Sequence, residues 1–276
     1  MRGLPTALLL APACVLFALF VVWPIAGSLW LSLHEWNGVG ARAWVGLANY
    51  RELAADPVFH TALANNLRWL AGYVAAPVLG LAAALLLNQQ IAGMRLARSL
   101  FFMPFVISQV VVGLVFAWFF NARLGPLGDL LLLDSERSIY ALILAGLWPQ
   151  VAYCMILYLT GLASIRPELV EAARMDGARG WALLRHVVLP QLRPVNFIVA
   201  MVCVVAALRS FDYVMVMTLG GPHNSSTVLA FYMYEQTFLG LRYGYAAAIA
   251  GVMLAMMSAI VGVLLWRLLR LERERA

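Results

Sequence analysis

Polar side chains inside long apolar stretches are the residues of this sequence with the most chemical content. Three of the stretches carry them, and the groups include amides, hydroxyls, large aromatic rings and one pair of opposite charges. The residues are Ser108, Gln109, Trp148, Gln150, Tyr153, Arg209, Ser210 and Asp212. A polar group inside a bilayer costs free energy unless it faces a cavity or a partner, so these residues are candidates for the lining of a solute pathway.

These groups suit reversible binding of a solute. Aromatic faces combined with amides and a carboxylate fit a sugar or polyol, which presents apolar C–H faces and many hydroxyls. The alternative for residues such as Gln150 and Ser108 is structural, because amides and hydroxyls in membrane helices also form hydrogen bonds between helices. The residue types alone leave both uses open.

Arg209 and Asp212 stand three residues apart, which places them on one face of a continuous helix. Three roles compete for Arg209: an ion pair with Asp212, a hydrogen-bond fork to sugar hydroxyls, or capture of an anionic group such as a phosphate. We expect Arg209 to face a cavity and to contact both Asp212 and the solute.

Bond-making chemistry has little support in the sequence. The four histidines are scattered over polar segments without ligand spacing, so we expect neither a metal site nor a catalytic residue. All 19 basic residues are arginine, which excludes a phosphate-binding loop of the G-x-x-x-x-G-K-[ST] type. We therefore expect no cofactor in this chain; a membrane-embedded enzyme and a channel are the alternatives to a transporter.

Composition places these residues in a single membrane domain, residues 1–276. Hydrophobic residues make up 64% of the chain and charged residues 12%, far from the balance of a soluble domain. The apolar stretches predict an all-α membrane protein with six transmembrane helices. The predicted spans are 7–33, 67–87, 99–120, 139–163, 187–218 and 245–269. The three cysteines lie in apolar stretches, where we expect them to pack.

The distribution of arginine predicts the orientation in the bilayer. Eleven arginines lie on the side that holds both termini and the segments 88–98 and 164–186, and five lie on the other side. Positively charged loops stay in the cytoplasm, so both termini are expected there. The net charge of +6 is explained by this asymmetry, and we expect the lipid bilayer, not nucleic acid, as the surrounding partner.

The most polar loop, residues 164–186, contains a compact motif. Glu171, Ala172 and Ala173 precede Asp176 and Gly177, and Leu189-Pro190 follow where the chain turns toward the next span. Pro167 predicts a helix start and Gly177 a helix end in the left-handed conformation, with a second short helix over 180–186. Local pattern alone is compatible with an interfacial linker helix.

This motif resembles the signature loop of binding-protein-dependent ABC importer permeases. The shared pattern is Glu-Ala-Ala, three residues, Gly177, and nine residues before Val187-Val188-Leu189-Pro190. The resemblance implies the type I permease fold, in which the loop is a coupling helix docked on a cytoplasmic ATPase. Glu171, Ala172, Ala173, Asp176, Gly177, Leu189 and Pro190 are the coupling residues that it implies.

A second segment, 211–222, resembles the F-D-x-hydrophobic-x-x-x-T-x-G-G-P stretch of carbohydrate-uptake permeases. The likeness is to the first permease of the maltose and glycerol-phosphate type. It implies a second homologous permease, two ATPase subunits that carry ATP and Mg, an extracytoplasmic solute-binding protein and a prokaryotic inner membrane. The implied solute is a sugar, a polyol or a sugar-like molecule, with an anionic solute such as glycerol phosphate as the alternative.

The predicted topology can be tested by labelling. A cysteine introduced at Ala178 should react only with reagents that enter the cytoplasm, because the arginine distribution places that loop inside. A cysteine introduced at Asn224 should react with impermeant maleimide added to intact cells. The chain without either substitution is the control, and the opposite labelling pattern would overturn the orientation.

Overall fold

Apolar helices form most of the structure, a computed structural model that describes residues 4–89, 91–121, 125–126, 132 and 134–273. Five helical segments are long and apolar enough to cross a membrane, and a sixth is added if one bent pair counts as a single span. This confirms the predicted all-α membrane fold. Arg2, Arg123 and Arg275, which entered the arginine count, and parts of the predicted loop 121–138 lie outside the described residues.

The helices are numbered in the order of the chain. They are α1 (Leu4–Phe17), α2 (Trp23–Leu31), α3 (Ala48–Ala55), α4 (Pro57–Tyr73), α5 (Ala75–Leu87), α6 (Met94–Val106), α7 (Gln109–Phe119), α8 (Ser138–Ala163), α9 (Pro167–Met175), α10 (Gly180–Leu183), α11 (Leu189–Gln191), α12 (Arg193–Leu208), α13 (Phe211–Met217), α14 (Leu229–Tyr234) and α15 (Tyr243–Arg273). Wider π-helical turns occupy Ala18–Val22, Leu184–Val188 and Glu235–Leu239.

The second span begins ten residues earlier than the predicted 67–87, because helix α4 starts at Pro57. Asp56 explains this start, since its Oδ1 accepts a hydrogen bond from the backbone N–H of Val58 at 2.8 Å. Proline at the first helical position loses no hydrogen bond there. The predicted polar loop 34–66 is therefore partly helical.

The third span is broken, where the sequence predicted one helix over 99–120. Helices α6 and α7 meet at an angle of 93°. Ile107 and Ser108 between them have ψ values of 137° and 138°, which is extended backbone. Pro104 lies one turn before the break and lacks an N–H, so the last turn of α6 is already weakened.

The fourth span matches its prediction closely, whereas the fifth and sixth differ at their ends. The fifth span begins at Arg193, not at residue 187, because Leu192 leaves the helical conformation. It is interrupted again at Arg209 and Ser210, before α13. Helix α15 continues to Arg273, four residues beyond the predicted end at 269.

The chain divides into two compact units, of which the first comprises Met1–His60 and Leu229–Met256. It adds one feature to the predicted all-α fold, a short antiparallel ribbon of His34–Glu35 with Ala43–Trp44. In the apolar segment Leu9–Leu31, no residue is buried within the chain.

The carboxylate of Asp56 is the centre of a hydrogen-bonded cluster in the first unit. The Oδ2 atom of Asp56 accepts hydrogen bonds from the hydroxyls of Tyr232 and Tyr245, the latter at 2.6 Å. Burial raises the pKa of Asp56, but these bonds and those from backbone N–H groups outweigh it and lower the pKa below its ordinary value. Glu52 and Arg242 form an ion pair at 2.7 Å nearby in the same unit.

The second unit, Thr61–Val228 and Met257–Ala276, is built on close packing of α5 against α8. The buried face of α5 is made of small residues at Ala76, Gly80 and Ala84, one per turn. A Cβ atom on Gly80 would lie 2.5 Å from Cβ of Cys154 and 2.9 Å from the backbone nitrogen of Met155. Only a glycine permits this approach, as is common where membrane helices pack by shape.

The close packing of α5 against α8 can be tested by substitution. Gly80→Val should lower the melting temperature of the purified protein by about 3–10 °C, because overpacking costs about 1–3 kcal/mol. Gly262→Val is the matched control, since a Cβ at Gly262 meets no atom within 4 Å. Equal melting temperatures for the two variants would contradict the close packing of α5 on α8.

Candidate functional site in the membrane cavity and the polar loop

A cavity of about 450 Å³ lies in the second unit, among α6, α7, α8 and the end of α12. Its size is in the range of sites for small organic molecules. Five of the eight predicted pathway residues line it. The complete lining is Phe105, Gln109, Gln150, Tyr153, Met201, Val202, Val205, Ala206, Arg209 and Asp212.

One wall of the cavity is an aromatic platform. The rings of Phe105 and Tyr153 stack with centroids 4.4 Å apart and an interplanar angle of 8°. The sequence predicted Tyr153 but not Phe105, because a phenylalanine without a polar atom is ordinary in an apolar span. The available signal was the position of Phe105 one residue after Pro104, where a helix is prone to break. Gln109, the first residue of α7 after this break, contributes a polar group to the cavity lining.

Gln150 combines both uses that the sequence left open. It is buried on α8 and lines the cavity, while its Nε2 donates a hydrogen bond to Sγ of Cys203 on α12 at 3.4 Å. It therefore joins two helices and also contributes to the wall. A buried amide without a partner would cost free energy, so the thiol stabilises Gln150 in this position.

Arg209 and Asp212 both line the cavity, but they do not form the expected ion pair. Within the described part of the chain, the ion pairs within 4.0 Å are Arg137–Asp134 and Arg242–Glu52. The ion pair that was one of the expected roles of Arg209 is therefore absent from the described chain. The reason is local: α12 ends at Leu208 and α13 begins at Phe211, so no continuous helix brings the two side chains together.

Three predicted pathway residues lie away from this wall. Ser108 is exposed at the break that precedes α7, and Ser210 is buried in the break that precedes α13. Trp148 lines an apolar cleft of about 770 Å³ instead, with Phe116 at a centroid distance of 5.8 Å. It stands two residues from Gln150 on α8, which rotates it to another face of the helix.

The polar loop folds as its motif predicted. Helix α9 begins at Pro167 and contains Glu171, Ala172 and Ala173. Asp176 follows at its C-terminal end, and Gly177 adopts a left-handed conformation with φ of +86°. The N–H of Ala178 then donates to the carbonyl of Ala173 at 2.9 Å, which closes the helix end.

The second half of the loop leads back to the membrane. Helix α10 and a π-helical turn are followed by Leu189 and Pro190 at the start of α11, both partly buried. Two large apolar side chains protrude on the loop: Met175 is 89% exposed and Trp181 is 67% exposed. Sequence reasoning missed them, although a large apolar residue within a polar loop is itself a signal of a contact surface.

A bundle of membrane helices with a polar cavity and an exposed helix–Gly–helix loop defines a multi-pass membrane transport component. The chain belongs to the family described as binding-protein-dependent transport system inner membrane component, whose model matches residues 76–271. It is therefore a permease subunit of an ABC importer, and its role is transport.

Similar chains from several organisms cover nearly its whole length. The multiple sugar-binding transport system permease protein of Streptococcus mutans is 36% identical over 91% of this chain and 90% of its own. The sulfoquinovosyl glycerol transport system permease protein of Agrobacterium fabrum is 33% identical over 94% and 88%. The trehalose transport system permease protein of Mycobacterium tuberculosis is 32% identical over 92% and 85%.

The fold is that of a solved importer. A chain of a bacterial ABC transporter involved in the import of the acidic polysaccharide alginate superposes with a TM-score of 0.83. The match covers 98% of this chain and 96% of that chain at 21% sequence identity. At this identity the likeness shows the fold alone, and it confirms the type I permease architecture predicted from the loop motif.

The separation of Arg209 from Asp212 generates a prediction. Arg209→Gln should leave folding yield unchanged and lower solute uptake by about ten-fold, since a hydrogen bond to a charged group contributes about 1.5–3 kcal/mol. Adding Asp212→Asn should not restore uptake, because no pair is broken.

Arg193→Gln, which removes the same charge at the first residue of α12, is the matched control and should keep full uptake. A low folding yield of Arg209→Gln that Asp212→Asn rescues would show that the two side chains pair in the membrane after all.

Proposed function

We propose that this permease carries a sugar, polyol or sugar-like solute across the membrane. The observation that carries the proposal is the composition of the cavity, in which the stacked rings of Phe105 and Tyr153 face amide and charged groups. Rings bind the C–H face of a sugar, and Gln109, Arg209 and Asp212 bind hydroxyls. The sugar-binding and trehalose permeases among its relatives support the same class of solute.

An anionic sugar derivative is the second candidate. Arg209 is exposed to the cavity and lacks a carboxylate within ion-pair distance in the described chain. A guanidinium in that state can bind a phosphate or sulfonate through two parallel hydrogen bonds. The relative from Agrobacterium fabrum is named for such an anion, sulfoquinovosyl glycerol. Asp212 on the same wall opposes an anion, which places the neutral solute first.

The permease works in an assembly that supplies energy and substrate. We infer a second homologous permease, two ATPase subunits and an extracytoplasmic solute-binding protein, in a prokaryotic inner membrane. ATP and Mg belong to the ATPase subunits. Both termini and the loop 164–186 then lie in the cytoplasm, as the arginine distribution predicts. The family description, with its binding protein and inner membrane, supports this arrangement.

Transport follows from the chain's connectivity. Closure of the ATPase subunits on ATP pulls α9, which is joined to α8 at one end and, through α10 and α11, to α12 at the other. These two helices carry Gln150, Tyr153 and Met201 of the cavity wall, and Arg209 directly follows the second of them. The helices rock as rigid bodies and expose the cavity alternately to each side of the membrane. The chain forms the solute pathway and transmits the movement of the ATPase subunits to it. It forms no covalent bond with the solute.

We assign docking of the ATPase to α9 together with the protruding Met175 and Trp181. Apolar side chains this exposed are typical of anchors that a partner buries. Ala172 and Ala173 form a narrow surface on α9 that allows close approach. Glu171 and Asp176 complete the polar rim of this coupling surface.

This assignment predicts a coupling defect. Gly177→Val should leave membrane insertion intact and reduce both recovery of the ATPase in pull-down and solute-stimulated ATP hydrolysis, because a β-branched residue disfavours the left-handed conformation by about 1–2 kcal/mol. Gly40→Val is the control, since Gly40 also has a positive φ with no atom within 4 Å. Normal assembly and stimulation of Gly177→Val would contradict the coupling role.

The solute class is tested on the complete importer reconstituted in liposomes. Neutral mono- and disaccharides bound to the binding protein should drive ATP-dependent uptake, and glycerol phosphate and a sulfonated sugar should not compete. Competition by the anions would favour the second candidate. Uptake that proceeds without ATP would indicate a channel, and chemical conversion of the solute would indicate an enzyme.

A further inference from the structure

Two cysteines that are distant in the sequence meet behind the cavity wall. Cys154 on α8 and Cys203 on α12 have their Sγ atoms 3.5 Å apart, and both are reduced. Cys154 is fully buried and Cys203 is 6% exposed. Packing explains one buried cysteine, but it does not require two thiols in contact between two helices of the pathway.

The thiol pair is connected to the cavity by Gln150. Its Nε2 donates to Sγ of Cys203 at 3.4 Å and lies 4.0 Å from Sγ of Cys154. Met201 and Val202, which precede Cys203 on α12, line the same cavity. Gln150 therefore belongs both to the cavity lining and to the hydrogen-bonded thiol cluster.

We propose that Cys154 and Cys203 form a redox modification site that reacts with small hydroperoxides and controls the position of Gln150 in the cavity. Cys203 reacts first, because it is the more exposed of the two and accepts the amide hydrogen bond that stabilises a thiolate. Cys154 then acts as the resolving thiol. The effect on solute handling rests on the proposed transport function, whereas the oxidation of the two thiols does not.

The reaction balances with hydrogen peroxide as the oxidant. The thiolate of Cys203 attacks one peroxide oxygen, the O–O bond breaks, and hydroxide leaves and takes up a proton to become water, which gives a sulfenic acid. Sγ of Cys154 attacks the sulfur of Cys203, the S–O bond breaks and a second water leaves. The products are one disulfide and two waters from two thiols and one peroxide.

The consequence for the wall follows from geometry. A disulfide requires the sulfur atoms to approach from 3.5 Å to about 2.0 Å, which draws α8 and α12 together at this level. Gln150 also loses the thiol that accepts its hydrogen bond. Oxidation therefore changes the polar wall of the cavity, and reduction of the disulfide restores it.

Thiol counting in the assembled importer tests the modification site. Cys14→Ser removes the third cysteine, which is exposed. After treatment with hydrogen peroxide and unfolding, this variant should take up no maleimide–polyethylene glycol, and two equivalents after dithiothreitol. Adding Cys203→Ala should leave one reactive thiol at Cys154 under the same mild treatment. Two reactive thiols after peroxide would overturn the proposal.

ATP hydrolysis measures the effect on the cavity, with the binding protein used as purified with its own solute. Peroxide should lower the stimulated rate of Cys14→Ser about five-fold, the size expected for one lost hydrogen bond, and dithiothreitol should restore it. The variant that also carries Cys203→Ala should not respond. A disulfide that forms without changing the rate would overturn control of the cavity. The thiol count gives its answer even if the complex shows no stimulated hydrolysis, so failure of this proposal and of the proposed function can be distinguished.

Discussion

Close approach of α5 to α8 is the constraint on which the second unit depends. In a bilayer, lipid tails are as apolar as the helices, so hydrophobicity does not drive two helices together and shape must do so. Gly80 provides that shape where it meets Cys154 and Met155, and Gly146 accommodates Trp69 and Tyr73 further along α8. This packing fixes α8, which also carries Gln150 and Tyr153 of the cavity lining.

The cavity collects polar groups that would otherwise be unfavourable in the membrane. Gln150 is satisfied by a thiol of α12, whereas Arg209 and Asp212 face open space at a helix break. A continuous helix would have allowed the two charges to neutralise each other three residues apart. The break at Arg209 and Ser210 keeps them separate, and this leaves both available to a solute.

The backbone connects the polar loop 164–186 directly to the helices that line the cavity. The polar loop connects the end of α8 to the start of α12, which are the two helices that carry the thiol pair and most of the cavity wall. In the mechanism that we propose, force applied at α9 would reach the cavity without a long chain of side-chain contacts. A covalent bond between Cys154 and Cys203 would act on the same two helices from inside, so coupling and redox control converge on one pair of elements.

The sequence by itself determined the membrane fold, the family and the loop. Residue composition and apolar length predicted helical spans, and Pro167 with Gly177 predicted where α9 begins and ends, because those two residues act through local backbone conformation. The spacing of Glu171, Ala172, Ala173 and Gly177 carried the resemblance that the family match confirmed.

Only the tertiary structure decided which polar residues share a cavity. The breaks after Val106 and Leu208 are not visible in hydrophobicity, since each lies within a stretch that is apolar enough overall to be predicted as one span. They take Ser108 and Ser210 out of the cavity lining and separate Arg209 from Asp212. Phe105 belongs to the site because its ring stacks on that of Tyr153. Trp148 does not, because its side chain lies on another face of α8 and lines the apolar cleft. Contacts such as that of Cys154 with Cys203 depend on the packing of helices 49 residues apart in sequence, and no local pattern records them.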